Sequence, residues 1–289
     1  MLLGVGQATI SPTHADRKVH MRWSAANIPE PHLIRKFTMA ITLTSTTTRW
    51  AVSLALLFLF AGCNSILAKS KYKEIEVKNG GSINGTVKLS GKIPASEKMK
   101  ITKDREICGD YIVSERLMVS LGGGISNAVV SLKGVAEGKK WNFPKSLQFD
   151  QKKCAFSPHV MVIRPKTEVT VTNSDSIKHN FHTISKGIFS INKMMSSGKS
   201  LTIKKRRLRK PGIVRVKCDL HEWMSGWWIV AKTPYTVLTG QDGEFVIKDV
   251  PSGEYDLSVW HEKLGETMTK VKVKPGAMTR IVISFPVKK

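Results

Sequence analysis

The segment CDLHEWM at residues 218–224 places three metal-binding side chains on one short loop. Cys218 offers a thiolate, His221 an imidazole and Met224 a thioether, in a Cys-x2-His-x2-Met spacing between two predicted strands. Soft sulfur donors together with imidazole select copper, and two histidines, one cysteine and one distant methionine form the copper geometry that is used for electron transfer. The loop therefore predicts a copper site that still lacks one histidine.

The pair His179-Asn180 is the candidate for the missing ligand, because it follows an earlier predicted strand. His182 lies in the same HNFH run and is a rival ligand; binding by both histidines would fit a different copper site or another metal. The alternative for Cys218 is a buried core thiol or a disulfide partner, and the alternative for His179 is a surface loop. Two further histidines are interpreted as structural: His159 and His261.

With both parts present, residues 126–232 resemble the cupredoxins, which are the type 1 or blue copper proteins. In that family one histidine comes from a His-Asn pair, and the other three ligands come from a loop near the end of the domain. The short Cys-x2-His-x2-Met loop is similar to that of amicyanin. The resemblance implies a β-sandwich in which His179, Cys218 and His221 are the equatorial copper ligands and Met224 is the axial ligand.

The resemblance also implies how such a site works. Asn180 is expected to join the two ligand loops by hydrogen bonds and so to fix the ligand geometry. A rigid sandwich that holds one geometry for Cu(I) and Cu(II) reduces reorganisation during electron transfer, and no catalytic base or nucleophile is implied. The chain is therefore predicted not to be an enzyme. Three nearby tryptophans are interpreted as core or rim packing: Trp223, Trp227 and Trp228. An electron-transfer contact needs an exposed edge of His221 with apolar side chains around it.

The N-terminal part of the chain predicts export. Residues 50–62 (WAVSLALLFLFAG) form an apolar stretch after a positive charge, which is typical of an export signal and too short to span a membrane comfortably. The expected translation start is Met39, with Met21 as the alternative. From Met39, residues 1–38 lie upstream and residues 39–62 form the signal peptide. Nothing later in the sequence is long and apolar enough to cross a membrane.

The run FAGC at residues 60–63 resembles the lipobox of bacterial lipoproteins, with Phe60 where that motif usually has leucine. Cys63 is therefore predicted to carry lipid after cleavage. The alternative is ordinary signal cleavage near Ala68. Both alternatives place the mature chain in the periplasm or cell envelope, where cysteines can form disulfides.

Cys108 and Cys154 have no histidine or methionine beside them in ligand spacing. In an exported chain they are predicted to form a disulfide with each other, which would join the N-terminal region to the copper domain. The chain-entropy model gives about 4 kcal/mol for a loop of that length. The alternative is two free buried thiols.

Short β-branched runs with turn signals between them predict an all-β fold made of sandwiches or barrels. The predicted order is a β-rich region at 74–125, the copper domain at 126–232 and a C-terminal unit at 233–289. Residues 239–262 (TGQDGEFVIKDVPSGEYDLSVWHE) resemble the carboxypeptidase regulatory-like, or transthyretin-like, β-sandwich, an accessory module without chemistry of its own. The Asp-Gly pair at 242–243 predicts a hairpin within this unit.

The chain has 46 Lys and Arg against 22 Asp and Glu in 289 residues, a formal net charge of +24. Its composition excludes a disordered chain, a collagen-like chain and a coiled coil. A large basic excess favours a negatively charged partner or surface, and the export signal argues against nucleic acid. The run KKRRLRK at residues 204–210 is either a solvated turn or a dock for an acidic redox partner or an anionic envelope surface.

The leading hypothesis is an exported, non-enzymatic copper protein that transfers electrons. The first alternative is a periplasmic copper carrier, although carriers tend to expose tracts rich in Met or His, which this sequence lacks. The second alternative is a metal-free β-sandwich module that binds envelope polymers or proteins through its basic face.

Overall fold

A computed structural model of the chain describes residues 71–286. The predicted upstream segment 1–38, the predicted signal peptide 39–62 and the predicted lipidation site Cys63 lie outside these residues. Within the described range the strands are β1 Lys73–Glu74, β2 Gly81–Ser90, β3 Lys98–Lys100, β4 Tyr111–Val113, β5 Val129–Lys133, β6 Glu137–Gly138, β7 Ser146–Lys152, β8 Ala155–Ser157, β9 Val160–Ile163, β10 Glu168–Asn173, β11 His179–Ser185, β12 Ile191–Met195, β13 Ser200–Ile203, β14 Gly212–Lys217, β15 Ser225–Val230, β16 Thr236–Leu238, β17 Glu244–Val250, β18 Gly253–His261, β19 Gly265–Val273 and β20 Met278–Pro286. A short helix, α1, spans Arg105–Cys108.

The described chain is all-β, as the sequence predicted, and its larger sheets pair into two sandwiches. The first sandwich packs the four-stranded sheet β16-β5-β18-β19 against the three-stranded sheet β17-β2-β20. Alternate side chains of these strands point into a shared apolar core, which includes Ile83, Phe245, Leu257 and Val259. No helix in the described range is long and apolar enough to cross a membrane.

The first sandwich is assembled from three separate stretches of the chain, which corrects the predicted domain boundaries at 126 and 233. β2, from the predicted 74–125 region, lies between β17 and β20 and pairs with β20 in parallel along its whole length. β5, from the predicted 126–232 domain, lies between β16 and β18. The strands of the second sandwich therefore begin only at β7, because β2 and β5 find their partners in the C-terminal part of the chain.

The predicted hairpin at the Asp-Gly pair is wrong. β16 pairs with β5, whereas β17 pairs with β2, so the two strands belong to different sheets. Gly243 takes a positive φ of 75° in the turn that joins the sheets, and its carbonyl accepts a hydrogen bond from the Val87 N–H at 2.8 Å. Alternating hydrophobicity shows which face of a strand is buried, but it gives the same pattern for either pairing.

The second sandwich packs the sheet β13-β10-β7-β8 against the sheet β12-β11-β14-β15-β9. Its core is aromatic: Phe149 stacks on Phe156 at 5.3 Å between ring centroids and meets the edge of Trp228 at 5.1 Å. β11 and β14 are antiparallel neighbours, so the start of β11 at His179 and the end of β14 at Lys217 meet at one edge of the sheet. This edge carries the predicted ligand loop.

A separate segment of the chain, before the first strand of this sandwich, covers that edge. β3 and β4 pair in an antiparallel arrangement and enclose residues 101–110, which include α1. We call residues 98–113 the cap segment. Cys108 in the cap segment forms a disulfide with Cys154, which lies in the turn between β7 and β8, so the predicted pairing is present. The cap segment is thus covalently joined to the second sandwich.

Candidate metal centre

The structure brings His179, Cys218 and His221 together at the edge of the second sandwich. The Nδ1 atoms of the two histidines lie 2.9 Å apart, and the Cys218 Sγ lies 3.6 Å from the Nδ1 of His221. One ligand atom from each of the three residues lies within 4.8 Å of the others. Both imidazoles are 0 % exposed and the thiol residue is 2 % exposed, so the donors form a buried cluster.

Local hydrogen bonds fold the loop at residues 218–224 tightly between β14 and β15. The Cys218 N–H donates to the Met224 carbonyl at 3.2 Å, and the Met224 N–H donates to the His221 carbonyl at 2.9 Å. Met224 is buried in the core of the second sandwich. The predicted fourth ligand residue therefore lies on the same closed loop as Cys218 and His221.

Asn180 makes the connection between the two ligand segments that the cupredoxin resemblance implied. Its backbone N–H donates to the Cys218 Sγ at 3.2 Å, and its side-chain Oδ1 accepts a hydrogen bond from the Asp219 N–H at 3.2 Å. Its Nδ2 donates to the Oδ1 of Asn192 at 2.5 Å. Asn180 thereby fixes the distance between the start of β11 and the 218–224 loop.

Two aspartates that the sequence did not single out hold the outer nitrogens of the histidines. The Nε2 of His179 donates to the Oδ2 of Asp175 at 2.7 Å, and the Nε2 of His221 donates to the Oδ2 of Asp104 at 2.8 Å. Because an ionised carboxylate only accepts hydrogen bonds, each Nε2 carries the proton and each Nδ1 presents a lone pair to the cluster. Carboxylates of this kind fix the tautomer and orientation of metal-binding histidines.

The electrostatics of the metal-free site favour neutral donors. Burial lowers the pKa of His179, against the opposing hydrogen bond from Asp175. Burial raises the pKa of the Cys218 thiol, against opposing hydrogen bonds from backbone N–H groups, that of Asn180 first among them. A metal ion reverses this preference at the thiol, because a coordinating thiol loses its proton outright.

The donor set fits copper. Two imidazole lone pairs that face each other at 2.9 Å repel unless a proton or a cation lies between them. The thiol of Cys218 adds a soft sulfur donor beside them, and soft sulfur with imidazole is the combination that copper prefers. The residues present therefore match the group that the sequence predicted.

His182, the rival ligand, lies outside this cluster. Its Nδ1 bonds to the carboxylate of Asp219, at 2.9 Å from Oδ2, and its side chain is 24 % exposed. The Lys217 ammonium first, and then His182, hold the pKa of Asp219 at about 2. In β11 the period of two places His182 on the face opposite to His179, so only His179 reaches the donor cluster.

The expected exposed edge of His221 is not present. The ring is 0 % exposed, and Asp104 of the cap segment occupies its outer nitrogen. Trp223 packs beside the ring at 5.0 Å between centroids and donates from Nε1 to the Cys154 carbonyl at 3.1 Å. The sequence interpretation was wrong here because nothing in the spacing of residues 218–224 indicates that a distant segment folds over them.

The remaining predicted residues lie away from the donor cluster. His159 forms a buried hydrogen bond to Glu262, next to His261, and Trp227 meets the edge of Trp260 at 5.2 Å. These contacts join the second sandwich to the first, which agrees with a structural interpretation of both histidines.

The basic loop (residues 204–210) lies at the other end of the second sandwich. Its cationic side chains are exposed, whereas Leu208 is buried and its carbonyl accepts a hydrogen bond from the Lys166 N–H at 2.7 Å. The 6 residues of β14 separate the basic loop from Cys218, which corresponds to about 20 Å at the usual rise of a strand.

Comparisons with known proteins give partial matches only. Scans against models of protein families and against curated sequences gave no match. A Cu-containing nitrite reductase from Thermus scotoductus SA-01 is 22 % identical over 31 % of this chain and 23 % of its own, with a TM-score of 0.28. A purple cupredoxin from Nitrosopumilus maritimus is 24 % identical over 29 % of this chain and 99 % of its own, with a TM-score of 0.25. Amicyanin from Paracoccus versutus is 21 % identical over 31 % of this chain and 86 % of its own, with a TM-score of 0.27.

This chain thus spans only about a quarter (23 %) of the nitrite reductase's length. TM-scores this low carry no argument about fold or function. The donor geometry itself indicates a metal centre.

Proposed function

We propose that this protein binds a single copper ion with His179, Cys218, His221 and Met224, and that it transfers electrons through this ion. The observation that carries the proposal is the buried cluster of two imidazole Nδ1 atoms and one thiol, with both outer imidazole nitrogens already bonded to carboxylates. When bound, copper supplies a one-electron couple between Cu(I) and Cu(II).

The chain's own groups prepare the site for both oxidation states. Cys218 gives up its proton when the metal binds, and the Asn180 N–H hydrogen bond stabilises the negative sulfur. Asp104 and Asp175 hold the two rings in place through Nε2. Since these hydrogen bonds come from two packed sheets and a disulfide-tied segment, the donors move little when the charge of the metal changes.

The surroundings of the site support the proposal of a non-enzymatic role. The cavity lined by Met224 and Trp223 holds about 20 Å³, which is room for roughly one water molecule. A substrate would have no space beside the donors on this side. We therefore propose that the product of the protein's action is a transferred electron rather than a new bond.

We propose that an acidic redox partner docks at the end of the molecule that carries the metal site. Three exposed lysines stand next to residues of the site in the chain: Lys103 precedes Asp104, Lys153 precedes Cys154 and Lys178 precedes His179. The basic loop at residues 204–210 lies about 20 Å away, at the usual rise of β14, and is the less suitable dock. Opposite charges near the site speed association and select the partner.

We propose further that the protein is exported and anchored in the cell envelope through lipid on Cys63. The Cys108–Cys154 disulfide supports this proposal, because such bonds persist in oxidising compartments such as the bacterial periplasm. Intact-mass measurement of the native N-terminus should show a diacylglycerol-sized addition on Cys63. A native chain that begins near Ala68 without lipid would contradict the anchor.

The choice between electron transfer and copper delivery is tested by redox cycling. The copper-loaded protein is reduced and reoxidised repeatedly in the presence of a Cu(I) chelator, and the copper content is then measured. We expect retention, because the two imidazoles, the thiolate and the thioether bind both oxidation states. Transfer of the copper to the chelator within a few cycles would favour a copper carrier.

A further inference from the structure

We infer that Asp104 is a positioning residue of the proposed copper site, held over His221 by the disulfide-tied cap segment. This inference rests on the proposed function. It assigns a role to a residue that lies 117 positions before its partner in the chain. The cap segment also closes the His221 side of the site: its Asp104 carboxylate lies on the outer nitrogen of the ring, and the ring is fully buried.

The backbone of Asp104 leaves its carboxylate free for His221. Asp104 takes a left-handed conformation with φ 53° and ψ 40° at the start of α1, and its side chain makes no capping hydrogen bond to that helix. Instead, its backbone carbonyl accepts hydrogen bonds from the N–H groups of Ile107 and Cys108, at 3.1 and 2.9 Å. Aspartate and asparagine tolerate this conformation better than most residues. The side chain is thus committed to the Nε2 of His221.

The cap segment is held in place independently of Asp104. Ile101 is fully buried, and its N–H donates to the Asp110 carbonyl at 2.9 Å. Met99 and Ile112 line the small cavity that Trp223 and Met224 also line. Together with the disulfide, these contacts hold the Asp104 carboxylate at hydrogen-bonding distance when the metal is absent.

The chemistry of the contact predicts its effect. An ionised Asp104 accepts the Nε2 proton of His221, so the Nδ1 lone pair must face the other donors. The negative carboxylate also makes the imidazole a stronger donor, which favours Cu(II) over the less positive Cu(I). Loss of such a contact typically lowers metal affinity by about 10–100-fold. Removal of the charge should therefore weaken Cu(II) binding and raise the reduction potential.

The test compares Asp104→Asn and Asp104→Ala with Asp110→Asn as the matched control. Asp110 lies on the same cap segment, but its carboxylate bonds to Arg105 instead of a histidine. The asparagine at position 104 keeps the size and tolerates the left-handed backbone, so it isolates the loss of charge even if the alanine variant folds poorly. Three properties are measured: the His221 tautomer in the metal-free protein by ¹⁵N NMR, the Cu(II) affinity by chelator competition, and the reduction potential.

We expect both Asp104 variants to bind Cu(II) about 10–100-fold more weakly than wild type and to have a higher reduction potential. We also expect Asp104→Ala to lose the fixed Nε2–H tautomer of His221, while Asp110→Asn matches wild type in all three measurements. Asp104 variants that match Asp110→Asn would overturn the inference. If wild type and Asp110→Asn both fail to take up copper, the proposed function fails instead, and the tautomer in the metal-free protein still tests the Asp104 contact.

Discussion

The Nδ1 atoms of His179 and His221 lie 2.9 Å apart, although 42 positions separate the two residues in the chain. Each ring is bonded to an aspartate through its other nitrogen, so neither is free to turn its Nδ1 away. Folding therefore creates a pocket of converging lone pairs beside the Cys218 thiol. A copper ion would satisfy all of these donors together.

Met224→Leu should leave copper bound but change its electronic properties. Leucine keeps the apolar volume, and such exchanges usually cost less than about 1.5 kcal/mol of folding free energy. Because the axial ligand tunes the potential of this type of site, loss of the thioether should raise the reduction potential. Voltammetry measures the shift, with Met268→Leu on the exposed surface as the control. An unchanged potential in Met224→Leu would exclude Met224 as a ligand.

Removal of the disulfide should destabilise the protein strongly. Cys108 and Cys154 are 46 positions apart, and the chain-entropy model gives about 4 kcal/mol for a loop of this size. Urea unfolding of metal-free Cys108→Ser/Cys154→Ser should show this loss in the free energy of unfolding. Wild type unfolded in the presence of a thiol reductant should show the same loss. A loss below about 1 kcal/mol would mean that the cap segment is held by its non-covalent contacts alone.

His261 should make the metal-free protein less stable in mild acid. Its pKa is lowered to about 4, mainly by burial. The Glu262 carboxylate opposes this shift, and His159 adds to it. The folded state therefore resists protonation, and stability is complete above the unfolded pKa near 6.5 and is lost as the pH falls toward about 4. The loss attributable to this group is on the order of 3 kcal/mol.

Urea unfolding at several pH values, with wild type and His261→Asn compared, measures this contribution. Other titrating groups act in both proteins, so the difference between the two curves isolates His261. The variant should lose less stability between pH 6.5 and 4, which are the unfolded and folded pKa values to about a unit. Parallel curves would show that His261 is not responsible.

Charge reversal near the metal site should slow electron transfer to an acidic partner. The variant Lys103→Glu/Lys153→Glu/Lys178→Glu alters the metal-site end, and the control Lys204→Glu/Lys205→Glu/Arg206→Glu makes the same change in charge on the basic loop. Stopped-flow rates at low salt should fall by about 10-fold or more in the first variant and less in the second. The opposite order would place the dock at the basic loop.

The candidate ligand residues were predictable from sequence because their chemistry is local. Cys218, His221 and Met224 share one loop, and the His-Asn pair at 179–180 gave the second histidine. The period of two in β11 was also enough to separate His182 from His179, although the sequence interpretation left that question open. The residues of one strand alone show which side chains share a face.

Features that depend on distant segments were not predictable in this way. Asp104 reaches His221 only because the cap segment folds across the 218–224 loop, and no spacing near either residue indicates it. The partners of β2 and β5 were likewise missed, since an alternating strand buries the same face in any sheet. For the same reason the Asp-Gly turn was taken for a hairpin when it joins two sheets.

Copper binding through Cys218 is tested most directly by a visible absorption titration of the purified protein with Cu(II). Wild type should develop an intense thiolate-to-copper charge-transfer band that saturates at a single copper per chain. Cys218→Ser should lack the band while its far-UV circular dichroism stays that of a β protein. A wild type that binds copper without colour, or a Cys218→Ser variant with an unchanged band, would contradict the copper site described for this protein.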